Sequence, residues 1–255
     1  MAFNKSAADV LFLRGEYTAA ADMYLEGARE GDEEAAFAYA TCLWRGIGVE
    51  RSVAEAKSFF SYARDLEGGD SCYNLAMIYM EGEGVPQDYR TALAYMTDAA
   101  ELGSVEAMLY LGMAYTVGYL LYPEITSVSR IPFHKPECRD AALSLMGYSA
   151  TDIEAEEERR SSLIHIDARR AFEYFRCAAY SDPTYVEELV AKGKFLYARC
   201  FIDGFGTEFN RSRGIDLMLK AGKSGSEEAV AFLAEAGIPT GSLTDGNPPV
   251  GCLPN

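Results

Sequence analysis

Trp44-Arg-Gly46-Ile-Gly48-Val49 returns 36 residues later as Met80-Glu-Gly82-Glu-Gly84-Val85. A period of that length marks a repeat architecture, in which one small supersecondary unit is copied and stacked. The register runs well beyond the glycines. Ala56 falls on Ala92, Phe59 on Tyr95, Ala63 on Ala99 and Leu66 on Leu102, and two periods earlier Tyr17, Ala20 and Gly31 fall on Tyr89, Ala92 and Gly103. Forward, Tyr79 and Gly82 fall on Tyr115 and Gly118. The period then breaks: Asp167, Ala171, Tyr174, Ala178 and Ala179 answer Asp88, Ala92, Tyr95, Ala99 and Ala100 at an offset of 79, so about 43 residues are inserted in the third full repeat. A last copy stands at offset 122, where Gly204, Gly206, Gly225 and Ala229 answer Gly82, Gly84, Gly103 and Ala107.

Each copy reads as two amphipathic helices, because apolar and small residues recur three and four positions apart: Leu75, Ala76 and Tyr79, then Ala92, Tyr95, Met96 and Ala99. The alternation a strand needs is absent. Ser52, Asp88, Asp167 or Asn210 heads the second helix, each able to accept a hydrogen bond from an orphan amide, and Ser52 with Glu55 forms a capping box. The G-x-G ahead of it lets the chain take positive φ and turn back. A phosphate-cradling loop would need a preceding strand and further motif residues, so these glycines read as structural. Ala92, Ala99 and Ala100 allow close helix approach while Tyr95 and Met96 fill the layers. No single pair hides its apolar face, so stability comes from stacking.

The pattern carried by Ser71, Leu75, Ala76, Tyr79, Gly82, Gly84, Val85, Asp88, Ala92, Ala99, Ala100 and Gly103 resembles the Sel-one-like repeat, a relative of the tetratricopeptide repeat. Ser71 stands where alanine is usual and Ala76 where glycine is usual; Glu67 and Asp182 replace the helix-ending glycine, and Thr207 replaces valine. The resemblance implies an all-α fold, a right-handed superhelix of about five helix pairs, used as a protein-binding scaffold and adaptor without catalytic chemistry. The repeats are expected over residues 1–118 and 167–236, with an insertion at 119–166 and a mobile Gly, Pro and Asn-containing tail at 237–255. Some secreted members carry a cysteine pair in every repeat; Cys42, Cys72, Cys138, Cys177, Cys200 and Cys252 lack that spacing, which points to reduced thiols and a cytoplasmic member.

In superhelices of this kind the first helix of each pair lines the concave face. By spacing, the outward residues are Phe37, Thr41 and Trp44, then Tyr73, Met77 and Met80, then Leu109, Met113 and Thr116. Most are large and apolar, and an exposed stripe of that kind marks a partner-binding groove. The opposing reading is that they are core, or that Tyr119-Leu120-Leu121-Tyr122 at the start of the insertion covers them.

The insertion offers an alternative function. His134 and Cys138, with His165 and Cys177, would make a four-ligand metal site for a sensory or hydrolytic protein, although Pro136 separates the first two. No serine or cysteine lies in a nucleophile motif, and Glu81, Glu83 and Asp203 beside the turn glycines read as solvent-facing. No cofactor is expected. With 23 Lys and Arg against 39 Asp and Glu, the net charge of -16 repels phosphate backbones and anionic lipid, so neither nucleic acid nor membrane is an expected partner. The uncharged run from Ala107 to Pro123 falls in register with a repeat helix and reads as core.

Overall fold

The computed structural model describes residues 4–118, 120, 163–182 and 187–238. Among them every regular element is a helix: α1 (Lys5–Leu13), α2 (Tyr17–Arg29), α3 (Glu33–Arg45), α4 (Val53–Asp65), α5 (Gly69–Glu81), α6 (Tyr89–Glu101), α7 (Val105–Val117), α8 (Ala168–Ala179), α9 (Glu187–Asp203), α10 (Arg211–Lys223) and α11 (Glu227–Glu235). The chain divides into two compact units, Met1–Ala107 and Met108–Asn255. Within each, a helix packs mainly on its neighbours in sequence, α1 through α6 in the first and α8 through α11 in the second. This is the helix-pair solenoid that the 36-residue period requires.

The repeat recurs atom for atom at its hinges. The amide of Ser52 donates to Leu43 O at 2.9 Å, Asp88 to Tyr79 O at 3.0 Å, Asp167 to Tyr115 O at 2.9 Å and Asn210 to Phe201 O at 2.8 Å. The same four side chains cap α4, α6, α8 and α10, accepting from the amides of Glu55, Thr91, Arg170 and Arg213. Each therefore closes the first helix with its backbone and opens the second with its side chain.

The turn itself depends on paired glycines. Gly46 and Gly48, Gly82 and Gly84, and Gly204 and Gly206 all lie at φ between 67° and 74°. The second of each pair also presses on the head of the preceding second helix: a Cβ on Gly48 would collide with Tyr17 O, and one on Gly206 with Ala168 O. Conformational freedom and close approach thus select glycine at the same position.

Small residues set the spacing between layers. Ala20, Ala56, Ala92, Ala171 and Gly214 share one repeat position, and Gly27, Ala63, Ala99, Ala178 and Ala221 share another; all are buried. At Gly214 even a methyl would run into Ile202 Cγ1. Phe60, Leu75 and Met96 fill the first unit and Phe175 and Leu196 the second, each fully buried and worth about 1.5–3 kcal/mol.

Two ring stacks fix the register across the insertion. Tyr79 stacks on Tyr95 with centroids 5.7 Å apart, and Tyr115 on Tyr174 at 5.9 Å. The residues correspond pair for pair, although the second pair is separated by the inserted segment. Arg170 lies over Tyr115 at 5.3 Å and Arg213 over Phe201 at 4.3 Å, again equivalent positions. One position diverges between the units. Arg51 Nε donates to Trp44 O at 3.0 Å and Gln87 Nε2 to Met80 O at 2.8 Å, whereas their counterparts Ile166 and Phe209 are apolar and exposed.

Among the described residues no helix is long and apolar enough to cross a membrane. Of the inserted segment and the tail, only Leu120, residues 163–166, Gly237 and Ile238 are described, so the expectations for Tyr119, Leu121, Tyr122 and Cys252 lie outside the described residues.

Candidate partner-binding face

In the first unit the candidate residues lie on two first helices. Phe37, Thr41 and Trp44 follow one another at four- and three-residue steps along α3, and Tyr73, Met77 and Met80 do the same along α5, so each trio shares a helix face. Leu109 and Met113 occupy the same register on α7.

Their exposure differs from the sequence expectation. Trp44 and Met77 are 7% exposed and Met80 1%; in the second unit Leu109 is 4% and Met113 6% exposed. These five residues belong to the packed interior and do not form an open stripe. Part of the cover on Trp44 comes from Phe60 of α4, which meets it edge-on at 6.1 Å and also meets Phe37 at 5.9 Å. Phe37, Thr41 and Tyr73 remain half-buried, as does Thr116 of the second unit. Thr41 gives its hydroxyl to Phe37 O at 2.9 Å, and Thr116 gives its own to Gly112 O at 2.8 Å.

Trp44 is also locked by polar contacts that sequence reasoning missed. Its indole Nε1 donates to Glu83 Oε2 at 2.5 Å, and Glu83 in turn pairs with Arg51. The Arg45 guanidinium lies 4.3 Å from the indole centroid. Glu83 is therefore half-buried and partnered, and not the solvent-facing turn residue its glycine neighbours suggested. It joins the turn after α5 to the end of α3, which binds successive repeats together.

At the opposite ends of these helices stand carboxylates. Asp32 caps α3 by accepting from the Ala35 amide at 2.8 Å. Beside it, the Glu33 carboxylate presses on Gly68, the side-chain-free N-cap of α5, where a Cβ would collide with Glu33 Oε1. Burial pushes the Glu33 carboxyl above its ordinary range, and the nearby charges of Glu34, Asp70 and Asp32 push it further. Glu106 is raised chiefly by burial and also by Asp70, partly offset by backbone and Ser104 hydrogen bonds. Tyr73 is lifted to about 12 by burial and by the charges of Glu106 and Glu81. Glu34, Asp70 and Glu106 recur at the 36-residue period, three positions before Phe37, Tyr73 and Leu109, which is the signal that would have revealed them.

The alternative metal site gains no support. His165 and Cys177 are both exposed, and among the described residues no group of His, Cys, Asp or Glu is placed to hold a metal ion. His134 and Cys138 lie outside the described residues. Asp203 is engaged by Arg199 at 2.9 Å.

Comparison with known proteins matches the geometry. The sequence model of the Sel1 repeat fits residues 17–41, 33–67, 69–104, 164–183 and 191–226, more than half of the chain. The structure of a Sel1 repeat protein from Oxalobacter formigenes superposes with a TM-score of 0.62 at 16% identity, covering 92% of this chain and 79% of that one. A protective antigen of uropathogenic Escherichia coli strains, displaying an SLR fold, covers 93% of this chain and 50% of its own at 18% identity and a TM-score of 0.40. The ERAD-associated E3 ubiquitin-protein ligase component HRD3B of Arabidopsis thaliana is 27% identical over 79 residues, which are 31% of this chain and 13% of that protein. The chain thus spans a small part of that relative's length.

Proposed function

Because the chain belongs to the Sel1 repeat family, we propose that it is a non-catalytic scaffold holding a segment of another protein against the first helices of its repeats. The observation that carries this reading is the pairing of open and closed residues on α3 and α5. Phe37, Thr41 and Tyr73 stay half-buried on the same helix faces as the buried Trp44, Met77 and Met80, and Glu83 holds the Trp44 indole in place. Rigid aromatic side chains with one open face are favourable anchors, since little conformational entropy is lost when a partner covers them. The match to HRD3B, a component of a larger ligase assembly, agrees with a role in holding proteins together. The unpaired thiols of Cys42, Cys72, Cys177 and Cys200 fit a reducing compartment such as the cytoplasm.

The test is co-purification from the native host with the unaltered chain and with Phe37→Asp and Tyr73→Asp. These two sites tolerate a charge better than Trp44 or Met77, whose replacement would disrupt the core. Loss of the same partners from both variants, with helicity retained, supports the face; equal recovery of every partner removes it.

A further inference from the structure

The half-buried aromatic residues of α3 and α5 do not stand alone. Glu33 lies four positions before Phe37, and Asp70 three before Tyr73, so each stripe begins at a carboxylate on the same helix face. The neighbouring helix α7 adds Glu106 beside Tyr73. Lys5 satisfies Glu34 at 3.4 Å, but the charges acting on Glu33 and on Glu106 are carboxylates. Acidic residues at helix N-termini ordinarily gain from the helix dipole. Here burial, and then repulsion from neighbouring carboxylates, make Glu33 and Glu106 less easily ionised than free carboxyls. The Glu33 carboxylate also lies against Gly68, two residues before Asp70, so the heads of α3 and α5 bring these acids together where a cation would find paired carboxylates.

We propose that the face formed by Phe37, Tyr73, Glu33, Asp70 and Glu106 receives a basic peptide segment, with a lysine or arginine among the three carboxylates and an adjacent large apolar side chain against the two rings. The inference rests on the scaffold reading and adds the chemistry of the occupant. Charge complementarity selects it: the chain carries -16 overall, and the end of the face at Glu33, Asp70 and Glu106 concentrates that sign on the helix faces that carry the two half-buried rings. An acidic segment would meet added repulsion at the same place, so the carboxylates also exclude wrong partners.

An unbiased library of random 16-residue peptides, selected on the full chain at about 50 mM salt, tests this directly. Enriched peptides are then measured by fluorescence anisotropy against the native chain, the Glu33→Gln/Glu106→Gln double variant and Tyr73→Ala, with each variant's fold checked by circular dichroism. The proposal expects lysine- or arginine-bearing sequences with a neighbouring aromatic or aliphatic residue. Their affinity should drop about 5- to 10-fold in the double variant and weaken as salt rises. Neutral or acidic winners, or basic ones that bind the double variant unchanged, overturn the charge assignment while leaving the scaffold reading intact. No enrichment on the native chain overturns the scaffold reading itself.

Discussion

Glu67 holds a backbone angle that its counterparts leave to glycine. Its φ is 72°, and it is the one non-glycine residue with positive φ among the described residues. Gly31, Gly103 and Gly225 fill the same repeat position, and a Cβ at Gly103 or Gly225 would meet nothing within 4 Å. Space is therefore not the constraint; the left-handed backbone is, at about 1–2 kcal/mol for a residue with a β-carbon. Glycine returns roughly 0.4–1 kcal/mol through the greater freedom of the unfolded chain. Glu67→Gly should accordingly stabilise the protein by about 0.5–1 kcal/mol, read as a higher urea midpoint at unchanged slope. Ser71 is the converse case, a polar atom where the repeat has Ala35, Ala107 and Gly193. Its Oγ is buried and has no hydrogen-bond partner among the described residues. Ser71→Ala should gain about 1 kcal/mol in the same denaturation assay, because it removes an unpaid desolvation. Both departures were visible in the sequence, since a repeat supplies its own standard of comparison. For Trp44, Met77 and Met80 the sequence left core and open stripe as rival readings, and burial decides for the core. On α5 Leu75, Ala76, Met77, Ile78 and Met80 are all buried, so apolar residues surround the helix and periodicity cannot distinguish its two faces.

At the scale of the element, the helix-turn-helix was legible because its punctuation is chemical. Ser52, Asp88, Asp167 and Asn210 accept from the amide three residues on, as side chains of those types must at a helix start. The hydrogen bond from each cap's own amide to the previous helix was not legible, since it belongs to backbone geometry. Nor was the second duty of the G-x-G glycines, which is contact with the preceding repeat. That duty separates them from the glycines that end the second helices. Gly103→Ala adds only the left-handed strain, offset in part by the stiffer unfolded chain, and should cost about 0.5–1 kcal/mol. Gly206→Ala adds the same strain and also drives a methyl into Ala168 O and Phe172 Cβ, so it should cost roughly 3 kcal/mol or more as α8 and the turn are forced apart. Thermal melts of the two variants side by side check the difference. Equal losses would mean that the close approach of the turn to α8 yields without strain.

At the scale of the whole molecule, the dominant property is charge. A carboxyl raised in the fold keeps its proton to higher pH than in the unfolded chain, so the folded state binds more protons over that interval. Glu33 and Glu106 are such groups, and their contribution makes stability rise as pH falls from neutrality toward the ordinary carboxyl value of 4.5. Asp88 works in the other direction: the Thr91 hydroxyl and the Thr91 and Arg90 amides hold it below 3.8, and that stabilisation is lost in stronger acid. On these groups stability should be greatest between the ordinary values of 3.8 and 4.5, and Glu33→Gln should exceed the native protein at pH 7 and converge with it below about pH 4. Salt should act with the same sign as mild acid. A net charge of -16 opposes compaction, whereas exposed pairs such as Lys5–Asp9 and Arg170–Asp167 return little. Raising NaCl from about 10 to 300 mM shortens the screening length severalfold, so the melting temperature should climb by a few degrees. Over the same range the affinity for a basic segment should fall, because screening weakens attraction and repulsion alike. Measuring both on one salt axis separates the two effects: opposite slopes locate excess negative charge in the fold and on the binding face together, while a melting temperature that fell with salt would place the net electrostatic balance of the fold on the attractive side.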